Sequence, residues 1–320
     1  MASELASGRR SSLATFALGL VATAFCLFGI LTSSFALLQT YYWLGLLTIA
    51  VGVTTLIRVR GKPDRLPIQG CAWLGMSLAA VSFGLLVLLG GLFAYVNEAA
   101  SRGAANASLK QLAIAMHMYH DQHRHLPPAA ICDDNGTPLL SWRVAILPFL
   151  GEESLHRQFN LDEPWDSPNN IQLLERMPAV YRAPSMPTLA PLAHTTFFQV
   201  FVGPGTAFEA GGKLSFPGPG RRNDFPDGTH TTVLIVEGGS PVPWTKPEDL
   251  AYEPDRPLPP LGGIFSGTGK FPLTRSRGHY TQAAMVSGDI LYIDLDRITE
   301  ETLRRAIVRN DGKELGPDWW

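Results

Sequence analysis

Two long, mainly apolar stretches of this chain carry no charged residue: residues 11–57 and residues 71–96. Uncharged runs of this length constrain the fold more than any other feature. Charged side chains stay at an aqueous surface, whereas about 20 consecutive apolar residues suffice to cross a bilayer as a helix. The runs predict three transmembrane helices, over about residues 13–38, 41–57 and 71–96. Gln39 and Thr40 separate the first two, beside Tyr41, Tyr42 and Trp43, an aromatic cluster suited to a membrane–water interface. Arg9 and Arg10 would also give a secretory signal its basic start. The apolar run is, however, far longer than the usual signal core of about 7–15 residues. It is also apolar all round, unlike an amphipathic core helix.

Basic residues set the expected orientation. Arg9 and Arg10 precede the first run, and Arg58, Arg60, Lys62 and Arg65 fill the second loop, whereas the first loop has none. Short basic loops remain cytoplasmic. The expectation is a multi-pass cell-membrane protein in the lipid bilayer, with a cytoplasmic N-terminus. Everything after Val96 would be extracytoplasmic, within reach of other envelope proteins. The chain thus divides into an anchor over residues 1–96 and a domain over 97–320. That domain holds 20 basic and 26 acidic residues, a net charge of −6, so nucleic acid is not an expected partner. Of three cysteines only Cys132 falls in it, which leaves no disulfide within the domain.

Leu109, Leu112, Met116 and Tyr119 recur at helical spacing, so residues 97–125 are predicted as an amphipathic helix. Pro127 and Pro128 end it. No proline lies between Gln69 and Leu126, so the third apolar run can continue into this helix. Residues 140–150 fit a short helix or a strand equally well, and short helices are predicted over 152–159 and 170–177. From residue 183 the texture changes. TTFFQVFVG, TTVLIVEG and AAMVSGDILYIDL read as strands, the last with a hairpin turn at Ser287-Gly288-Asp289. Long proline- and glycine-rich loops cover 211–226 and 251–275. A closing helix over 300–309 has Thr299 as N-cap and an Ile298–Leu303 staple. The expected class is α+β: a long helix, then a mainly antiparallel sheet.

HMYHDQHRH, residues 117–125, packs four of eight histidines into nine positions. His117 and His120 are spaced to share a helix face, and His279 could supply a third ligand to a metal. No HExxH and no spaced cysteine pair support that reading, and a structural role, capping the helix end or bonding a strand backbone, is the preferred one. His123 and His125 read as incidental. The acidic loop DEPWDSPNN carries Asp162, Glu163 and Asp166 but lacks the ligand pattern of a calcium loop. GGIFSGTGKF lacks the phosphate-loop glycine and Ser/Thr. No GxSxG nucleophile elbow occurs. Trp142, Trp165 and Trp244 read by default as buried core or loop anchors, with stacking on a small solute as the alternative.

NASLKQLAIAMHMYHDQHRHLPPA, LLSWRVAILPFL, FNLDEPWDSPNN, VYRAPS, VGPGTAF, DGTHTTVLIVE, VPWTKPEDL and GHYTQAAMVSGDILYI follow one another in this order. Together they resemble a bacterial family, abundant in planctomycetes, whose domain has no known function. That family carries a prepilin-type H-x9-DG motif and is sometimes labelled solute-binding-like. The resemblance implies a pilin-like domain. It marks His117, Tyr119, His120, Asp121, Trp142, Asp162, Trp165, Asp166, Gly203, Gly205, Asp227, Gly228, Glu237, Trp244, His279 and Asp289 as motif positions. Many relatives begin with a prepilin leader, which this chain lacks. Asp289 lies ten residues after His279, but Ile290 stands where the motif has glycine. The expected role is non-enzymatic recognition or surface assembly, with no catalytic residue and no cofactor. Solute binding and metal-dependent catalysis are the alternatives.

Overall fold

The computed structural model describes residues 50, 53, 54, 57, 66–182, 193–209, 213–218, 223–264 and 279–319. The chain forms two compact units, Met1–Val96 and Asn97–Trp320. Helix α1, Leu66–His123, is 58 residues long. It stops where Arg124 turns left-handed, at φ 70°, just ahead of Pro127-Pro128.

The three predicted membrane spans are corrected. The spans over 13–38 and, but for four positions, 41–57 lie outside the described residues. The third falls within α1, and among the described residues no helix is long and apolar enough to cross a membrane. Helix α1 does not end with the uncharged run 71–96 but carries on through Asn97, Glu98 and Arg102. The multi-pass localisation and its orientation are withdrawn with the spans.

The second unit is α+β. Strands β1 (Ala130–Cys132) and β2 (Pro138–Ser141) form a small antiparallel pair. Three short helical segments follow: α2 (Trp142–Ala145), a 3-10 turn at Leu147–Leu150, and α3 (Glu153–His156). The main sheet is antiparallel, in the order β3 (Thr195–Gln199), β5 (Val233–Pro243), β7 (Tyr280–Met285), β8 (Ile290–Asp294). A parallel pair, β4 (Phe201–Val202) with β6 (Leu250–Ala251), stands beside it. Helix α4 (Glu300–Ile307) comes near the end, its N-terminus capped by the Thr299 hydroxyl accepting from the Thr302 N–H at 3.3 Å.

Alternation along the strands explains two cores. Ala284 and Val286 face one cluster with Leu109, Leu112 and Met116 of α1; Ala283 and Met285 face the other with Leu303, Ala306 and Ile307 of α4. The sheet is therefore covered on both faces, and the start of β5 reads as an unbroken apolar run. The predicted hairpin forms at Gly288, whose φ of 88° suits glycine.

Candidate functional site

The motif histidines divide by helical face. His117 and His120 point inward. The His117 Nε2–H donates to the Val286 carbonyl at 3.0 Å, and its ring stacks on Phe216 at 4.2 Å. His120 is 1% exposed; its Nε2 lone pair accepts the Phe216 N–H at 3.0 Å, with the Ser215 hydroxyl also 3.0 Å away. One imidazole fixes the β7–β8 turn to α1, and the other fixes the 213–218 segment. Asp121 is exposed and faces His120 Nδ1 at 3.6 Å. His279 stands at the far end of β7 from Val286, where its N–H meets Asp296 at 3.0 Å. At the usual strand rise, the six residues of β7 put roughly 20 Å between those ends. Among the described residues, no three His, Cys, Asp or Glu side chains converge to hold a metal ion.

Burial pulls the His117 pKa below 6.5, against its bond to Val286 and the nearby Asp121 charge. A folded pKa below the unfolded one makes neutral His117 stabilising above about 6.5, a contribution lost as pH falls through and below that value. Urea unfolding should therefore show a lower midpoint at mildly acidic pH. The drop should be smaller in His117→Gln, whose amide still donates to Val286. An equal drop in both proteins would show that His117 is not the group responsible.

The tryptophans are structural anchors. Trp142 and Trp244 are fully buried. Trp244 donates to the Leu174 carbonyl at 2.9 Å, stacks on Tyr181 at 5.6 Å and meets Phe159 edge-on at 5.8 Å. Trp142 borders a buried ion pair absent from the expectations. Arg143 is 0% exposed and reaches Asp249 Oδ1 at 2.8 Å, with the Asp249 side chain 3% exposed. The same oxygen accepts from Trp142 Nε1 at 3.2 Å and Val200 N at 3.0 Å. The guanidinium also donates to the Phe198 carbonyl and to the Ser141 hydroxyl. Burial pushes the Asp249 carboxyl up, and Arg143 and the N–H donors oppose that push. Burial raises the Tyr181 pKa, keeping its phenol protonated to donate to the Arg143 carbonyl at 2.8 Å. The sequence did hold a signal: an arginine inside the apolar run LLSWRVAILPFL requires a carboxylate partner.

The acidic loop closes on an amide rather than a cation. Buried Asn170 donates to the carbonyls of Asn160, Glu163 and Pro164 at 2.9–3.1 Å, while Asp162 and Asp166 are exposed. Trp165 is half-buried there, with the Lys246 ammonium 5.7 Å from its ring centroid. Other motif positions build turns. Gly203 packs so tightly on the Tyr252 carbonyl that a Cβ would lie 2.0 Å from its oxygen, and Gly205 and Gly228 have φ of 72° and 111°. Asp227 accepts the N–H groups of Asp311 and Gly312. Glu237 is buried in β5 and accepts the Ile264 N–H at 2.5 Å. Asp289 is exposed; the Ser287 hydroxyl and the His230 imidazole, each at 2.7 Å, lower its pKa.

A groove of about 1100 Å³ opens where the other histidines point. Tyr119, His123 and His125 form one wall with Phe149; Pro127, Pro128, Ile131, Leu161 and Phe208 complete the apolar surface. Tyr119 stacks on His123 at 4.2 Å and meets Phe149 edge-on at 5.6 Å. His123 and His125, which read as incidental in the sequence, thus share a cavity, while Trp142, Trp165 and Trp244 do not line it. Cys132 also lines it as a free, exposed thiol, its pKa raised by burial and by Asp133, which disfavours the nucleophilic thiolate.

Residues 96–258 match the model of the family described as "Protein of unknown function (DUF1559)", and the chain belongs to that family. All the residues that line the groove and the Arg143–Asp249 network fall within the match, whereas His279 and Asp289 lie beyond it. No curated protein and no solved structure matches the chain.

Proposed function

We propose that the Asn97–Trp320 unit is a non-catalytic recognition module that takes an apolar-bodied small ligand into the Tyr119–Phe149 groove. The observation that carries this reading is the groove itself. Its volume of about 1100 Å³ is on the scale of small-molecule sites, and aromatic and proline side chains line it. Aromatic rings stacked on one another, with few rotatable bonds, form a wall that loses little entropy when a ligand lands on it. The buried network around Arg143 holds α2 to β3 through the Phe198 carbonyl, which supports the adjoining wall segment that carries Ala145, Pro148 and Phe149. Recognition of a small solute is thereby favoured over a site built from the buried tryptophans.

Titration calorimetry of the full-length chain with the neutral probe naphthylacetamide tests the reading. Phe149→Ala is expected to weaken binding about tenfold or more, by removing a ring from the wall. Tyr292→Ala, on the exposed face of β8, should leave it unchanged. Equal affinities for the wild type and Phe149→Ala would place the ligand elsewhere.

A further inference from the structure

The charges around the groove are not balanced. Its two carboxylates are both engaged. Glu153 faces Arg157 at 3.6 Å, and Glu209 binds Arg309, from outside the groove, at 2.9 Å. Lys213 also lines the groove, is exposed, and has no acidic partner among the described residues. The backbone fixes where that residue is attached. The Leu126 N–H donates to the Leu214 carbonyl at 2.8 Å, which sets Lys213 beside the His125–Pro127 corner and next to the aromatic wall. His125 spends its Nδ1–H on the Leu126 carbonyl at 2.7 Å, so its ring is fixed in place. An apolar surface thus ends at a lysine with no acidic partner among the described residues.

We infer that the groove selects anionic amphiphiles: monocarboxylates whose aromatic or branched apolar body lies on Tyr119 and Phe149, with the carboxylate meeting Lys213. This rests on the recognition reading above and adds the ligand's charge to it. A carboxylate at the apolar margin of the groove is screened less than one in open water, so its pairing with Lys213 discriminates between ligands of the same shape. A neutral isostere keeps the ring contacts and forfeits that pairing.

Calorimetry on the full-length chain with naphthylacetate and naphthylacetamide separates the two claims. The anion should bind about tenfold more tightly than the amide. Lys213→Gln, an exposed substitution that leaves the core untouched, should abolish the preference, and added salt should shrink it in the wild type. An amide bound as tightly as the anion would overturn the charge selection while leaving the recognition reading standing. A preference that survives in Lys213→Gln would overturn the role given to that residue. If neither probe binds at millimolar concentration, the recognition reading fails and the inference fails with it.

Discussion

Asp249→Ala is expected to destabilise the protein by about 3–5 kcal/mol, the usual cost of stripping one partner from a buried ion pair. The carboxylate holds three donors on one oxygen: Arg143, Trp142 Nε1 and Val200 N. Its removal leaves a guanidinium in a 0% exposed position and orphans two further N–H groups. Arg143 keeps its bonds to Phe198 and Ser141, but these are neutral acceptors and do not offset the charge. The double variant Arg143→Met with Asp249→Leu should recover much of the loss, because two apolar side chains of similar bulk leave no charge buried. Urea unfolding followed by tryptophan fluorescence reads both. A loss below about 1 kcal/mol in Asp249→Ala would mean that the pair is hydrated and contributes as a surface bridge does.

Trp244→Ala should cost about 3–5 kcal/mol, as expected for emptying a fully buried aromatic site. The indole ties three segments together: Tyr181 by stacking, Phe159 by its edge and Leu174 through the Nε1–H. Trp244→Phe keeps most of the ring contacts and loses the hydrogen bond, so its cost should be smaller, about 1–3 kcal/mol. The comparison also decides between the two roles that a tryptophan in this loop could play. A ligand-stacking residue would change affinity and leave stability nearly intact. The structure assigns Trp244 the opposite pattern, and unaltered stability in Trp244→Ala would refute that assignment.

Features set by local periodicity were legible in the sequence. The Leu109–Leu112–Met116 stripe, the stop before Pro127, the Gly288 hairpin and the Thr299 cap all appear where the residue pattern places them. Lengths were less legible. Residues 152–159 read as a helix and yield one turn at Glu153–His156, and residues 170–177 form a 3-10 segment. In the second case the Asn170 side chain draws the preceding loop carbonyls together. The predicted third span over 71–96 is the other departure: among the described residues no helix is long and apolar enough to cross a membrane.

The site was the least legible part, since its components are distant in sequence. Arg143 and Asp249 are 106 residues apart, and the groove gathers side chains from three stretches between Tyr119 and Lys213. Composition alone cannot show that His117 and His120 bind the protein's own backbone while His123 and His125 face a cavity. That division follows from the position of each imidazole on α1 once the sheet covers one side of it.

The most direct test of the groove as a recognition site is chemical-shift mapping of the full-length chain during titration with naphthylacetate. The predicted perturbations cluster on Tyr119, His123, Phe149 and Lys213 and saturate together. Perturbations centred instead on Trp165 and Lys246, or none across the groove at saturating probe, would contradict the account.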